Sequence, residues 1–347
     1  MIERISVFLL GTVFSILVHA QQAPVPYIIG GDDAGFDEYD FVAYLLILDT
    51  ETDQAFFCTG SFIHPQYVVT AAHCLMDDRV TITADEVTVR YGNQELGVLR
   101  NRRFASVSDF DVHPDFDPLL LTNDIAILKL SAAAETEVVE GDAGIVPAEV
   151  ITREQVAQVE SGALVSVAGW GRVEEDSDQT ADTLQVATMS LLPGNSCERV
   201  YFSGSYNSKT NLCAGTVETD GPAICNGDSG GPMFIEQEGD YYFMGITSAG
   251  PVECGDRNLP GIYTSVCVYL PFLSEFMGPQ LQYIDQQCPV YPEQQTPGEY
   301  ASSPPLFNEN DAIGGNEGTG SWSLFGLLAL VMLLISLRFV ERRQDRV

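Results

Sequence analysis

Cys225-Asn226-Gly227-Asp228-Ser229-Gly230-Gly231-Pro232, or CNGDSGGP, sets a serine between an acid and a pair of glycines. As a surface turn this would be ordinary, because glycine and proline are turn residues. As a catalytic turn it would do more. Glycines let backbone N–H groups approach a substrate closely, and a serine held there becomes a nucleophile when a base lies within hydrogen-bond reach.

A base and its partner are present upstream. TAAHC (Thr70 to Cys74) follows the strand-like Tyr67-Val68-Val69, and NDIAILKL (Asn123 to Leu130) puts Asp124 at the head of an apolar strand. A lone histidine in a β protein is usually structural, and an aspartate before a strand usually caps a turn. Of the four histidines, however, only His73 has such surroundings. Asp109, Asp111 and His113 rival it by residue type but lie outside these stretches. A serine hydroxyl is too weakly acidic to attack an amide unaided, and imidazole titrates near neutral pH, so it can take that proton and return it to the leaving amine.

The chain around these stretches is mostly β between Ile28 and Met277. Val42 to Leu48, Val87 to Tyr91, Ile125 to Leu130 and Leu164 to Ala168 are short apolar runs bounded by Gly, Asp, Asn or Pro. That pattern predicts an all-β sandwich or barrel rather than alternating βαβ units. Val268 to Met277 reads as one helix after the last strand, and no internal repeat is visible.

IIGG (Ile28 to Gly31), TAAHC, NDIAILKL and GDSGGP, in that order, resemble the trypsin/chymotrypsin family of serine endopeptidases. VAGWG (Val167 to Gly171) and PGIYTSV (Pro260 to Val266) support the resemblance, which covers residues 28–277. It implies two six-stranded antiparallel β-barrels with the active site between them and a C-terminal helix. It also implies Ser229 as nucleophile, His73 as general base, Asp124 as the group that fixes the histidine tautomer, and the N–H groups of Gly227 and Ser229 as oxyanion hole. The same resemblance pairs Cys58 with Cys74, Cys197 with Cys213 and Cys225 with Cys254, which leaves Cys267 with Cys288.

Activation and specificity also follow by resemblance. A new α-amino group at Ile28, freed by cleavage after Tyr27, would fold inward to Asp228. Many relatives carry Arg or Lys where this chain has Tyr27, so a trypsin-like activator is not implied; another protease or the enzyme itself would make the cut. Ala223 would form the base of the specificity slot, with Ser248, Gly250 and Gly261 around it. Without a carboxylate to pair with Lys or Arg, such a slot prefers Phe, Tyr, Leu or Met. Two features temper this: Ala249 stands where the family usually has Trp, and Glu253 beside Cys254 would attract a basic residue at the rim.

The ends and the composition place the domain. Arg4 and the apolar run Ile5 to Val18, closed by Val18-His19-Ala20, read as a secretory signal over residues 1–20 rather than an uncleaved anchor, with a propeptide at 21–27. Eight cysteines, an even count, then suit disulfides formed outside a reducing cytosol. Residues 278–321 turn to Gln, Pro, Ser, Asn, Glu and Gly, a disordered linker or stalk. Trp322 to Val340 is apolar apart from Ser323, Ser336 and Arg338 and is followed by a basic tail, residues 341–347. This reads as a membrane helix with a cytoplasmic end, or as a sorting tail removed during surface delivery, resembling those of some Gram-negative surface proteins.

With 49 acidic against 16 basic residues the formal charge is −33. Nucleic acid is therefore excluded as a partner, since phosphate binding needs clustered Lys and Arg; the charge reads instead as a solubilising surface. No metal-ligand cluster is evident and no cofactor is implied. The expected protein is a secreted or surface-displayed endopeptidase acting on proteins or peptides. The competing reading, a catalytically silent protease-fold binding or adhesion protein at the cell surface, is disfavoured because His73, Asp124, Ser229 and the glycine loop are all intact.

Overall fold

The computed structural model describes residues 31–35, 38–76, 82–98, 102–136, 144–172, 180–216, 224–225, 227–251 and 259–280. The expected signal, propeptide, stalk, hydrophobic segment and tail lie outside these residues, as do Tyr27, Ile28, Ala223, Glu253, Cys254 and Cys288. Among the described residues no helix is long and apolar enough to cross a membrane.

After a two-residue strand β1 (Asp32–Asp33), six strands close the first barrel. They are β2 (Val42–Asp49), β3 (Gln54–His64), β4 (Tyr67–Thr70), β5 (Val87–Tyr91), β6 (Arg103–Val112) and β7 (Ala126–Leu130), in the spatial order β2-β3-β4-β7-β6-β5. β2 shows why these segments become strands. Leu45 and Ile47 alternate inward and are fully buried, whereas Leu48 is 48% exposed. That period of two puts one face on a core, and the core is filled by Phe62, Val69, Val89, Ile127 and Leu130.

A short β8 (Glu149–Val150) and a single-turn α1 (Arg153–Val156) lead into the second barrel. The Thr152 hydroxyl caps α1 by accepting from the Gln155 N–H, while the Gln155 side chain accepts from the Thr152 N–H, a reciprocal capping box. The second barrel comprises β9 (Leu164–Gly169), β10 (Gln185–Leu192), α2 (Gly194–Glu198), β11 (Asn211–Gly215), β12 (Pro232–Gln237), β13 (Asp240–Ala249) and β14 (Gly261–Ser265). Its strands run in the order β9-β10-β11-β14-β13-β12, and the β12–β9 pairing closes it. This is the strand order of the first barrel over again. The repeat absent from the sequence is present in the topology. The predicted helix appears as a 3-10 turn, Val266–Tyr269, running into α3 (Leu270–Met277).

The barrels share one apolar seam. Tyr39 and Phe41, just before β2, pack their rings 5.3 and 5.5 Å from that of Phe234 on β12. Tyr44 stacks on Phe57 at 5.4 Å and meets Trp170, just beyond β9, edge-on at 5.8 Å. Aromatic pairs of this kind add about 0.5–1.5 kcal/mol each beyond their area burial, so the seam fixes how the loops facing across it meet.

Candidate active site

His73 lies in the 3-10 turn Ala72–Cys74 that follows β4, and Cys74 is tied to Cys58 on β3 by a disulfide. Asp124 sits two residues before β7, on the same barrel. Asn123 turns the chain so that Asp124 faces the histidine. Its φ is 54°, in the left-handed region that asparagine tolerates. Its side chain is held at both ends: Nδ2 donates to the Asp115 carbonyl at 2.7 Å and Oδ1 accepts from the Tyr269 hydroxyl at 2.8 Å. NDIAILKL contained Asn123, but its part in the turn becomes visible only with Asp115 and Tyr269 in place.

Asp124 is completely buried and gathers three donors. Its Oδ1 accepts from the His73 backbone N–H at 2.9 Å; Oδ2 lies 2.7 Å from His73 Nδ1 and accepts from the Ser248 hydroxyl at 2.6 Å. A carboxylate with only acceptor oxygens assigns the hydrogen to Nδ1 and leaves Nε2 as the base. His73 is 22% exposed. Burial pulls its pKa down, the charge and hydrogen bond of Asp124 push it up, and the net result lies above the usual 6.5. Ser248, expected around the substrate slot, thus also braces the carboxylate.

Ser229 comes from the second barrel, in the turn before β12. The first barrel grips that turn: the Thr59 N–H donates to the Ser229 carbonyl at 2.8 Å, and the Thr59 hydroxyl donates to the Gly227 carbonyl at 3.0 Å. Gly230, with φ 78°, donates its N–H to the Thr247 carbonyl at 2.8 Å. A Cβ on Gly230 would overlap the Thr70 hydroxyl and the Thr59 carbonyl, and one on Gly231 would overlap the Ala168 carbonyl. Only glycine fits between the barrels there, which explains the doublet. Among the described residues, the N–H groups of Gly227 and Ser229 donate to no protein acceptor.

Asp228 turns away from solvent and is 1% exposed. Its carboxylate accepts from the Gly171 N–H and the Cys225 N–H, both at 2.9 Å. Burial pushes its pKa up to about 7 against the pull of those two donors. Among the described residues no cationic side chain pairs with it. Gly169 and Gly171 form its cradle: a Cβ on Gly171 would lie 2.5–2.6 Å from the carboxylate atoms, and one on Gly169 would overlap the carboxylate as well. Both glycines belong to VAGWG, where spacing alone did not tie them to an acid far along the chain.

The slot walls show a residue that sequence reasoning missed. Ile224, 5% exposed, points its Cδ1 at both wall glycines, 3.1 Å from a Cβ built on Gly250 and 2.9 Å from one on Gly261. Only its position beside Ala223 could have signalled it. The rival histidine is engaged elsewhere: His113 sits edge-on to Tyr269 and Phe272 at 5.1 and 5.2 Å, and its Nδ1 accepts from the Asp115 N–H. Asp109 and Asp111 are exposed on β6.

The second disulfide within the described residues joins Cys197 to Cys213, as expected. Cys225 and Cys267 are disulfide-bonded as well, to partners outside those residues. Cys58, His73 and Cys74 are close enough together to suggest a metal site, but both sulfurs are consumed in one disulfide and offer no thiolate.

Comparison with known proteins agrees with this geometry. The Trypsin family model matches residues 28–273. Mouse (Mus musculus) tryptase is 30% identical over 274 residues, covering 76% of this chain and 94% of tryptase. Trypsin from Saccharopolyspora erythraea is 29% identical, covering 72% of this chain and 97% of its own length. Coagulation factor XII from Sus scrofa is 33% identical over 63% of this chain, which spans only 35% of that longer protein. The solved structure of GrC superposes with a TM-score of 0.60 at 26% identity, covering 72% of this chain and 98% of GrC. Two barrels of one topology, the buried Asp124 beside His73, and the family match over residues 28–273 together make this chain a member of the trypsin family of serine endopeptidases.

Proposed function

We propose that the chain hydrolyses peptide bonds through an acyl-enzyme formed on Ser229, cutting after large apolar or aromatic residues outside the cell. The observation that carries the mechanism is the bond of His73 Nδ1 to the buried Asp124, beside a serine turn held by the other barrel. His73 Nε2 takes the Ser229 proton as Oγ attacks the scissile carbonyl, and returns it to the leaving amine. Asp124 stabilises the imidazolium that forms between the two steps. The unengaged N–H groups of Gly227 and Ser229 receive the oxyanion, and losing one such donor typically costs about 3–4 kcal/mol of transition-state stabilisation. Water then repeats the sequence on the acyl-enzyme.

Because the base must be neutral, kcat/KM rises with pH through the His73 ionisation, with a midpoint above 6.5. A pH profile of the mature enzyme measures it, and a rate-controlling midpoint well below 6.5 would assign the base elsewhere.

Ala223 and Ile224 argue for an apolar slot, where a Lys or Arg side chain would bury an unpaired charge. A panel of peptides varying only the residue before the cut should give Phe, Tyr, Leu or Met a kcat/KM about 10- to 100-fold above Arg. Preference for Arg would sink this assignment and point to Glu253 at the rim.

Cleavage between Tyr27 and Ile28 would free the amine that neutralises Asp228, and Tyr27 suits the proposed specificity, so the enzyme can process itself. Secreted Ser229→Ala should then keep residues 21–27. An Ile28 terminus on that inert variant would assign the cut to another protease. The signal at residues 1–20 and the segment 322–340 support export followed by surface attachment or sorting. Disulfides within the described residues fit an oxidising compartment.

A further inference from the structure

The activation reading requires Ile28 to find Asp228, and the fold holds a side chain placed to set that register. Gln185, at the start of β10, is fully buried although it is a polar residue. Its Nε2 donates to the Asp33 carboxylate at 2.6 Å and to the Thr183 carbonyl at 2.9 Å. Asp33 is on β1, five residues beyond Ile28, and is the Cα partner of Gln185 across the β1–β10 ladder. Ala34 extends that anchor by donating its N–H to the Leu184 carbonyl at 2.8 Å.

The next strand completes the connection. Gln185 is also the Cα partner of Gly169 on β9, and a Cβ on Gly169 would overlap the Asp228 carboxylate. Asp33, Gln185, Gly169 and Asp228 therefore stand in one line across two strand spacings, about 10 Å. Five extended residues span up to about 17 Å. The segment before Asp33 is long enough to carry an amine from this line to Asp228, provided that its root is fixed.

We propose that Gln185 is a positioning residue for activation: through Asp33 it clamps the new N-terminal segment in the register that delivers the Ile28 amine to Asp228. The inference rests on the activation reading above. The side-chain amide suits the task. It satisfies the exposed Asp33 and an inner backbone carbonyl at once, so it ties the surface end of the segment to the barrel wall. A slip of one residue would turn Asp33 to the other face of β1 and break the bond.

Chemical modification of the amine tests the clamp. Mature enzyme beginning at Ile28 is treated with cyanate, and carbamylation of the Ile28 amine is followed by mass spectrometry against Lys129 and Lys209 as internal references. In the wild type the Ile28 amine should react far more slowly than a free amine. Asp33→Ala, a change at an exposed residue, should speed its carbamylation about tenfold, the scale expected from losing one hydrogen bond to a charged group. The active fraction, read from the acylation burst, should fall with it. Gln185→Glu should do at least as much by placing two carboxylates together. Asp33→Asn keeps an acceptor for Nε2 and should stay near the wild-type rate. Equal protection in wild type, Asp33→Ala and Gln185→Glu would overturn the clamp and leave the activation reading standing. Asp33→Asn reacting as fast as Asp33→Ala would replace the amide bond by simple charge and also overturn it. A wild-type Ile28 amine as reactive as the lysines would defeat the activation reading itself.

Discussion

Ser229→Ala should lower kcat by about 10⁶-fold, the scale found when the nucleophile is removed from a serine protease, while the protein remains folded. The two halves of this expectation have separate causes. Folding is spared because the Ser229 backbone, not its hydroxyl, carries the structure: its carbonyl accepts from the Thr59 N–H, and Gly230 and Gly231 bond across to Thr247. None of those bonds involves Oγ. Activity is lost because His73 then has no hydroxyl to deprotonate, and water must attack an uncommitted substrate. Residual turnover about 10³–10⁴-fold above the uncatalysed rate should survive from the oxyanion donors and substrate binding alone. Single-turnover hydrolysis of the best peptide, with circular dichroism of the same sample, reads both halves.

Asp124→Asn should lower kcat by about 10⁴-fold, the loss characteristic of this substitution within the family itself rather than a value that follows from this geometry. The geometry supplies the reason. The Asp124 oxygens face three donors: the His73 N–H, His73 Nδ1–H and the Ser248 hydroxyl. An amide has one oxygen to accept with and two N–H groups of its own, in a fully buried site. Its N–H is satisfied by turning Nδ1 into an acceptor, which moves the imidazole hydrogen to Nε2 and removes the base. The raising effect of the carboxylate on His73 also goes, while the burial that lowers its pKa stays, so the acid limb of the residual activity should move to lower pH. Stability should fall by about 1–3 kcal/mol if one buried donor is left unpaired. A pH profile of Asp124→Asn with an unchanged midpoint would show that the carboxylate does not control His73.

Sequence showed those parts of the site where chemistry or backbone geometry admits few residues. TAAHC, NDIAILKL and GDSGGP were readable because a base, a buried acid and a glycine-only crossing tolerate little else. Strand positions were readable through alternation, as in Val42–Asp49 and Leu164–Gly169. What stayed hidden depends on partners distant in the chain. Gly169 and Gly171 matter because Asp228 fills the space beside them, and Asn123 matters because Asp115 and Tyr269 hold it. Ile224 matters because Gly250 and Gly261 open towards it. The shared strand order of the two barrels leaves no visible repeat, since an apolar core constrains volume and alternation far more loosely than identity.

The central claim is that Ser229 is a nucleophile activated by His73. Mature protein treated with a fluorophosphonate and digested should carry one adduct, on the peptide containing Ser229, and His73→Ala should take up the label far more slowly. No labelling of the mature form, or labelling at another serine, would contradict the claim and favour a protease fold that binds without cutting.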